Sequence, residues 1–192
     1  SDIILEAYET GHTIFGENKA QELIRKEQEL PKDIEWHFIG HLQSNKAKYL
    51  VPFVSMIHSI DSFKILKTIN KEARKNDRVV PCLLQFHIAQ ESSKFGLSED
   101  EAREILDSEE YKKMENISLN GVMGMATFTG DEEQLRKEFR LLKAIFNRLK
   151  TDYFSGNDQF KEISMGMSGD YLLAVEEGST IVRIGSKIFG AR

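Results

Sequence analysis

At 192 residues the chain is long enough for one domain with a substantial core and short for two. A net charge of −5, with 40% apolar and 30% charged residues, argues against nucleic acid as the main partner, because phosphate backbones are met by clustered Lys and Arg. No apolar run approaches the ~18 residues of a membrane span, and the single cysteine, Cys82, sits in the apolar run Val79-Val80-Pro81-Cys82-Leu83-Leu84, so no disulfide framework exists. These features fit a reducing compartment, the cytoplasm.

The chain opens directly on a capped amphipathic helix from Asp2 that stops at Gly11. A short strand follows over Thr13 to Asn18, then a helix from Lys19 to Leu30, closed by Pro31. Ile34 to Gly40 alternates, is rich in aromatics and reads as a strand. His41 to Lys46 makes a turn into a short helix ending at Leu50. Ser55 to Asp61 is the next strand, and Asp61 or Ser62 caps a helix through Lys75. Val79 to Ala89 is nearly continuous apolar sequence, as in a strand buried on both faces. A polar loop, Gln90 to Gly96, precedes a capping box at Ser98-Glu99-Asp100-Glu101 and its helix. Ile117 to Ala126 is a strand. Gly130-Asp131 opens the longest helix, Glu132 to Lys150, with Leu135, Phe139, Leu142, Ile145, Phe146 and Leu149 at helical spacing.

The last third carries two apolar runs that each end in small and polar residues. Ile163-Ser164-Met165-Gly166-Met167 ends in Ser168-Gly169-Asp170, where Ser168 can cap the following helix; Ile181-Val182-Arg183-Ile184 ends in Gly185-Ser186. Two such turns beside a helix start form a ready anion site, and loops after the seventh and eighth strands of β/α barrels often hold a phosphate. Seven strands alternating with helices require a parallel sheet. Ligand-type residues close most strands, which favours a TIM-type (β/α)8 barrel over an open doubly wound sheet; its remaining strand is expected ahead of Ser1.

Individual residues leave alternatives open. Asn18 suits a helix cap or a ligand contact; His37 suits a core hydrogen bond or a ligand. His58, Glu17 and Asp61 share no metal-ligand spacing with His37, so no zinc site is expected. Met123, Met125, Met165 and Met167 read first as gap-filling core. Arg183, inside an apolar strand, must meet a carboxylate or an acceptor on a ligand, since a lone buried cation is costly.

Taken together, Phe15-Gly16-Glu17-Asn18 with Gln21-Glu22, Trp36-His37-Phe38-Ile39-Gly40 with Leu42-Gln43-Ser44-Asn45-Lys46, Ser164-Met165-Gly166-Met167-Ser168, and Val182-Arg183-Ile184-Gly185 with Ile188-Phe189-Gly190-Ala191-Arg192 resemble the pyridoxal 5′-phosphate homeostasis protein family. The resemblance covers nearly the whole chain. It implies a single barrel domain over residues 1–192, similar to the alanine racemase N-terminal domain, that binds this vitamin B6 cofactor without the racemase's second domain. It implies a monomeric carrier or buffer, with pyridoxal-phosphate enzymes as recipients, rather than a strong catalyst; the alternative is an amino-acid racemase or lyase. By the same resemblance, Ser168 and the Gly185-Ser186 turn take the phosphate, and Arg183 faces the pyridine nitrogen. Asn18 and His37 sit around the ring, with Met165 and Gly166 lining the floor. The family's Schiff-base lysine ends the first strand and is expected upstream of Ser1, outside this sequence. No catalytic residue is therefore assigned here, and the cofactor would be held noncovalently, with phosphate or sulfate able to take its place. Lys187, where the family commonly has a small residue, is expected to point outward.

Overall fold

The computed structural model describes residues 2–91 and 95–190. Seven strands form one sheet: β1 (Ile14–Glu17), β2 (Glu35–Phe38), β3 (Met56–Ile60), β4 (Val80–Phe86), β5 (Ile117–Gly124), β6 (Glu162–Met167) and β7 (Ile181–Arg183). They lie side by side in sequence order, and every neighbouring pair is parallel. Helices fill the connections: α1 (Asp2–Glu9), α2 (Ala20–Glu29), α3 (Ser44–Leu50), α4 (Phe63–Lys75), α5 (Glu99–Asp107), α6 (Glu109–Lys112), α7 (Glu132–Tyr153), α8 (Tyr171–Glu176) and α9 (Ser186–Phe189). No helix among the described residues is long and apolar enough to cross a membrane.

The sheet curls into a nearly closed barrel. His58 on β3 bonds Ser164 on β6 at 2.9 Å. In a flat sheet three strand spacings would hold these residues roughly 14 Å apart. The sequential strand order also excludes the doubly wound alternative, which needs a reversal of order at a switch point.

Amphipathic helices cover the outside. On α7, Leu135, Phe139, Leu142, Ile145, Phe146 and Leu149 are buried at helical spacing, as expected. Asp131 caps that helix by accepting the N–H groups of Glu133 and Gln134. Ser62 caps α4, and Ser98 forms the expected capping box with Glu101. Short α6 was not anticipated; Ser108 ends α5 and at once caps α6 by accepting the Tyr111 N–H.

Three local expectations are corrected. The apolar run predicted as a strand to Ala89 leaves the sheet after Phe86. There the chain at Leu97 folds back, donating its N–H to the Gln85 carbonyl and accepting that of His87. Ile88 and Ala89 are buried but lie outside the sheet. Residues 92–94 of the polar loop, Ser1, and the final pair 191–192 of the last motif lie outside the described residues. Ser168 does not cap α8: that helix starts at Tyr171 after Asp170, and the Ser168 hydroxyl is engaged elsewhere. Nor does Asn18 cap α2; the cap position is Lys19, and the Glu17 carboxylate accepts the N–H groups of Asn18 and Lys19.

Where β5 meets β6, Gly121 takes φ +152°, and an added Cβ would lie 1.9 Å from the Glu162 carbonyl oxygen. Backbone cannot yield there as a flexible side chain can. We predict that Gly121→Ala lowers unfolding free energy by about 3 kcal/mol, from strain plus overpacking. A urea titration checks this; an unchanged midpoint would contradict it.

Candidate functional site

Strand alternation sends every second side chain into the barrel. At one level the chain places polar groups there: His37 on β2, His58 on β3, Ser164 on β6 and Arg183 on β7. They form one connected line. The guanidinium of Arg183 donates to Ser164 Oγ through Nη1 (2.6 Å) and to the Gly124 carbonyl through Nη2 (3.1 Å). Ser164 Oγ meets His58 Nδ1 at 2.9 Å, and His58 Nε2 meets His37 Nδ1 at 3.0 Å.

This answers the question that Arg183 posed. Its hydrogen-bonding partners are neutral oxygens, not a carboxylate. Burial lowers its pKa to about 10, partly offset by Asp170, so it remains cationic at neutral pH. Asp170 itself is tied to its own turn, accepting the Met167 N–H at 2.6 Å. Burial lowers the pKa of His37 to about 4. His58 is pushed well below its ordinary value by burial, then by the neighbouring His37 and Arg183. Both imidazoles are therefore neutral at pH 7.

The two turns of the last third meet at the carboxyl end of the barrel. Met167 and Arg183 are paired across β6 and β7, and one residue beyond Met167 the Ser168 hydroxyl accepts the Gly185 N–H at 3.2 Å. Gly185 and Ser186 are exposed, and Gly185 precedes the first turn of α9. Ser168, Gly185, Ser186 and Arg183 thus share one corner. Lys187 lies over the Tyr171 ring, with Nζ 4.7 Å from its centroid.

The other sequence-predicted residues fall as follows. Gly166 has φ +96°, and a Cβ there would come within 2.6 Å of Ala174 Cβ, so α8 can lie close to β6 only because this residue is glycine. Met165 is fully buried in the main apolar core, and its neighbour Ser164 points into the barrel, so the Met165 side chain faces the helical layer. Asn18 directly follows β1 and His37 lies on the adjacent β2, where it is paired with Gly16. Asn18 is set by Glu17, which is buried and paired with Lys26. Burial pushes the Glu17 carboxyl up, but Lys26 and the two N–H groups outweigh it and hold the pKa below its ordinary value.

His58 and Ser164 were not singled out from the sequence as site residues. Their signal was available: each is a polar residue within an otherwise apolar strand run, as Arg183 is. Among the described residues no group of three or more His, Cys, Asp or Glu could hold a metal.

Residues 2–192 match the family described as alanine racemase, N-terminal domain. A pyridoxal phosphate homeostasis protein of Aquifex aeolicus is 38% identical over 193 residues, covering 100% of this chain and 82% of that protein. Among solved structures, PipY of Synechococcus elongatus PCC7942 without PLP superimposes with a TM-score of 0.90 at 32% identity, covering 98% of this chain and 87% of PipY. PipY with PLP bound gives 0.86 at 32% identity, over 97% and 86% of the two chains.

The depressed histidines make stability depend on pH. Their folded pKa values lie below the unfolded value of 6.5, so their contribution is complete above pH 6.5 and is lost as pH falls below it, for His37 until about 4. His37 should cost about 1.4 kcal/mol per pH unit between 6.5 and about 4. Urea unfolding at pH 7, 6 and 5 checks this. His37→Gln should flatten the profile relative to the wild type; identical slopes would contradict the assignment.

Proposed function

The chain belongs to the pyridoxal phosphate homeostasis protein family, within the alanine racemase N-terminal domain group, and on that premise we propose that it binds pyridoxal 5′-phosphate at the carboxyl end of its barrel and holds it for delivery. One observation carries this reading. The Ser168 hydroxyl and the Gly185 N–H are in contact, and two residues before Gly185 the chain carries Arg183, whose guanidinium bonds neutral oxygens. A dianion and a heteroaromatic nitrogen are the two kinds of group such a corner accommodates.

The residues fit the cofactor. Ser168 keeps its own hydroxyl proton to donate, and the exposed Gly185-Ser186 turn presents backbone at the start of α9. Arg183 has N–H groups left over after its two bonds and would donate to the ring nitrogen. Asn18 and His37 would flank the ring. Gly166 and the Met165 backbone would form the floor, the Met165 side chain being in the core. When bound, the cofactor supplies an aldehyde that captures amines and a ring that accepts electrons. A guanidinium at the ring nitrogen disfavours its protonation and so weakens the electron sink.

That chemistry suits holding more than turnover. A racemase needs bases on both faces of the ring. The imidazole at this site has its pKa lowered to about 4 and is a poor base near neutrality. We read the chain as one barrel domain over residues 1–192, a monomer in the cytoplasm that passes cofactor to pyridoxal-phosphate enzymes. The lone buried Cys82 suits that compartment.

Equilibrium dialysis with pyridoxal 5′-phosphate tests the reading. Ser168→Ala and Arg183→Met should each weaken binding about tenfold or more, the loss of one hydrogen bond to a charged or polar group. Circular dichroism would show that the fold is kept. Unchanged affinity in both variants, or substantial racemisation of alanine or serine by the wild type, would contradict the proposal.

A further inference from the structure

The polar line across the barrel has a direction, and the donor inventory fixes it. Arginine carries donors only, so Ser164 Oγ accepts from Arg183 Nη1. The serine hydroxyl has one hydrogen to give. Ser164 is fully buried, and among the described residues its other partner is His58 Nδ1. If Nδ1 carried the proton, the serine would accept twice and its buried hydroxyl hydrogen would have no acceptor, which costs about 1–3 kcal/mol. If Nδ1 is bare, the hydroxyl donates to it and every group is satisfied.

The rest follows along the line. A neutral imidazole has one N–H, so a bare Nδ1 places the His58 proton on Nε2, which then donates to His37 Nδ1 at 3.0 Å. His37 in turn carries its proton on Nε2. Each bond in this arrangement points its negative end toward Arg183 and its positive end away, the orientation that a fixed cation favours. The reverse direction would aim N–H hydrogens at the guanidinium's own acceptor. Polarisation accumulates along such chains and strengthens the last donor.

The end of the line is open. His37 Nε2 makes no hydrogen bond among the described residues, yet it is not among their buried unsatisfied atoms, so it retains contact with solvent-filled space. His37 on β2 and Arg183 on β7 are the two ends of the line.

We propose that Arg183, Ser164, His58 and His37 form a one-way hydrogen-bond relay that locks both imidazoles in the Nε2–H form and presents His37 as a fixed donor to an acceptor oxygen of the bound ligand. Ser164 and His58 are positioning residues; His37 touches the ligand. The site would then take a ring with a donor at each side: the guanidinium at one, an imidazole N–H at the other. A ligand offering a donor to His37 would be rejected, because the relay cannot reverse without stranding the Ser164 hydroxyl. The ligand contact rests on the reading of the site given above; the relay itself does not.

The test uses the unliganded chain labelled with ¹⁵N-histidine at pH 7.5, with two-bond ¹H–¹⁵N correlation spectra. The five histidines are assigned with single His→Gln variants. His37 and His58 should both show a protonated Nε2 and a bare Nδ1. A protonated Nδ1 on His58 would overturn the relay. Ser164→Ala removes the hydroxyl that donates to His58 Nδ1 and should shift that nitrogen's resonance in the folded variant; an unmoved resonance would also overturn it. Added pyridoxal 5′-phosphate should shift the His37 Nε2–H signal and leave the His41 ring far less affected. Binding by dialysis without that shift overturns the ligand contact alone. Absence of any binding overturns the reading of the site and with it the ligand contact, while the tautomers still decide the relay.

Discussion

A guanidinium held inside a barrel by two neutral oxygens is the constraint around which this molecule is arranged. Arg183 spans from β7 to a hydroxyl on β6 and a carbonyl on β5, at 2.6 and 3.1 Å. Burying a cation in this way is costly unless its donors are met, and a carboxylate partner would meet them outright. Here the partners are polar but uncharged. The positive charge is therefore kept available, and burial keeps the imidazoles behind it neutral. A surface ion pair such as Arg140 with Glu177 has the opposite character: both charges are answered within the fold, in solvent, at little net gain.

The fold exists to bring these groups together from distant parts of the sequence. Ser164 and His58 are 106 residues apart and meet only because the parallel sheet closes upon itself. The covering helices bury the outer face of each strand, leaving its inner face free for polar groups. At the carboxyl end, Glu138 does similar work for the loops. This buried residue of α7 accepts the N–H and hydroxyl of Thr127 at 2.6 and 2.7 Å and the side-chain N–H of Gln134 at 3.1 Å. Burial pushes its carboxyl up, but these donors outweigh it and hold the pKa below its ordinary value. The rim after β5 is thus tied to the long helix that packs beneath it.

Much of this was legible in the chain. Alternating apolar runs and capped amphipathic segments specify strands and helices locally, so the order of elements could be read, with Ser62, Ser98 and Asp131 as caps. Arg183 announced itself as a charge within an apolar run. What could not be read were facts of tertiary placement. Arg183's partners are contributed by two other strands. Ser168 looked like a helix cap because cap and loop serines share the same local sequence, and only the approach of the β7 turn shows where its hydroxyl goes. Met165 looked like a ligand-lining residue through resemblance, whereas strand alternation assigns its side chain to the core. Ile88 and Ala89 looked like strand because burial past a strand's end has the same composition as burial in a sheet.

On the proposed reading, the corner formed by Ser168, Gly185 and Arg183 recognises a phosphate joined to a heteroaromatic ring. The direct measurement is a comparison of two ligands on this chain, pyridoxal 5′-phosphate and pyridoxal, by isothermal titration or dialysis under identical buffer. Removing the phosphate should weaken binding by at least about a hundredfold, corresponding to about 2.7 kcal/mol or more. Equal affinity for the two compounds would show that the turns of the last third do not hold the dianion, and the assignment of the site would fail.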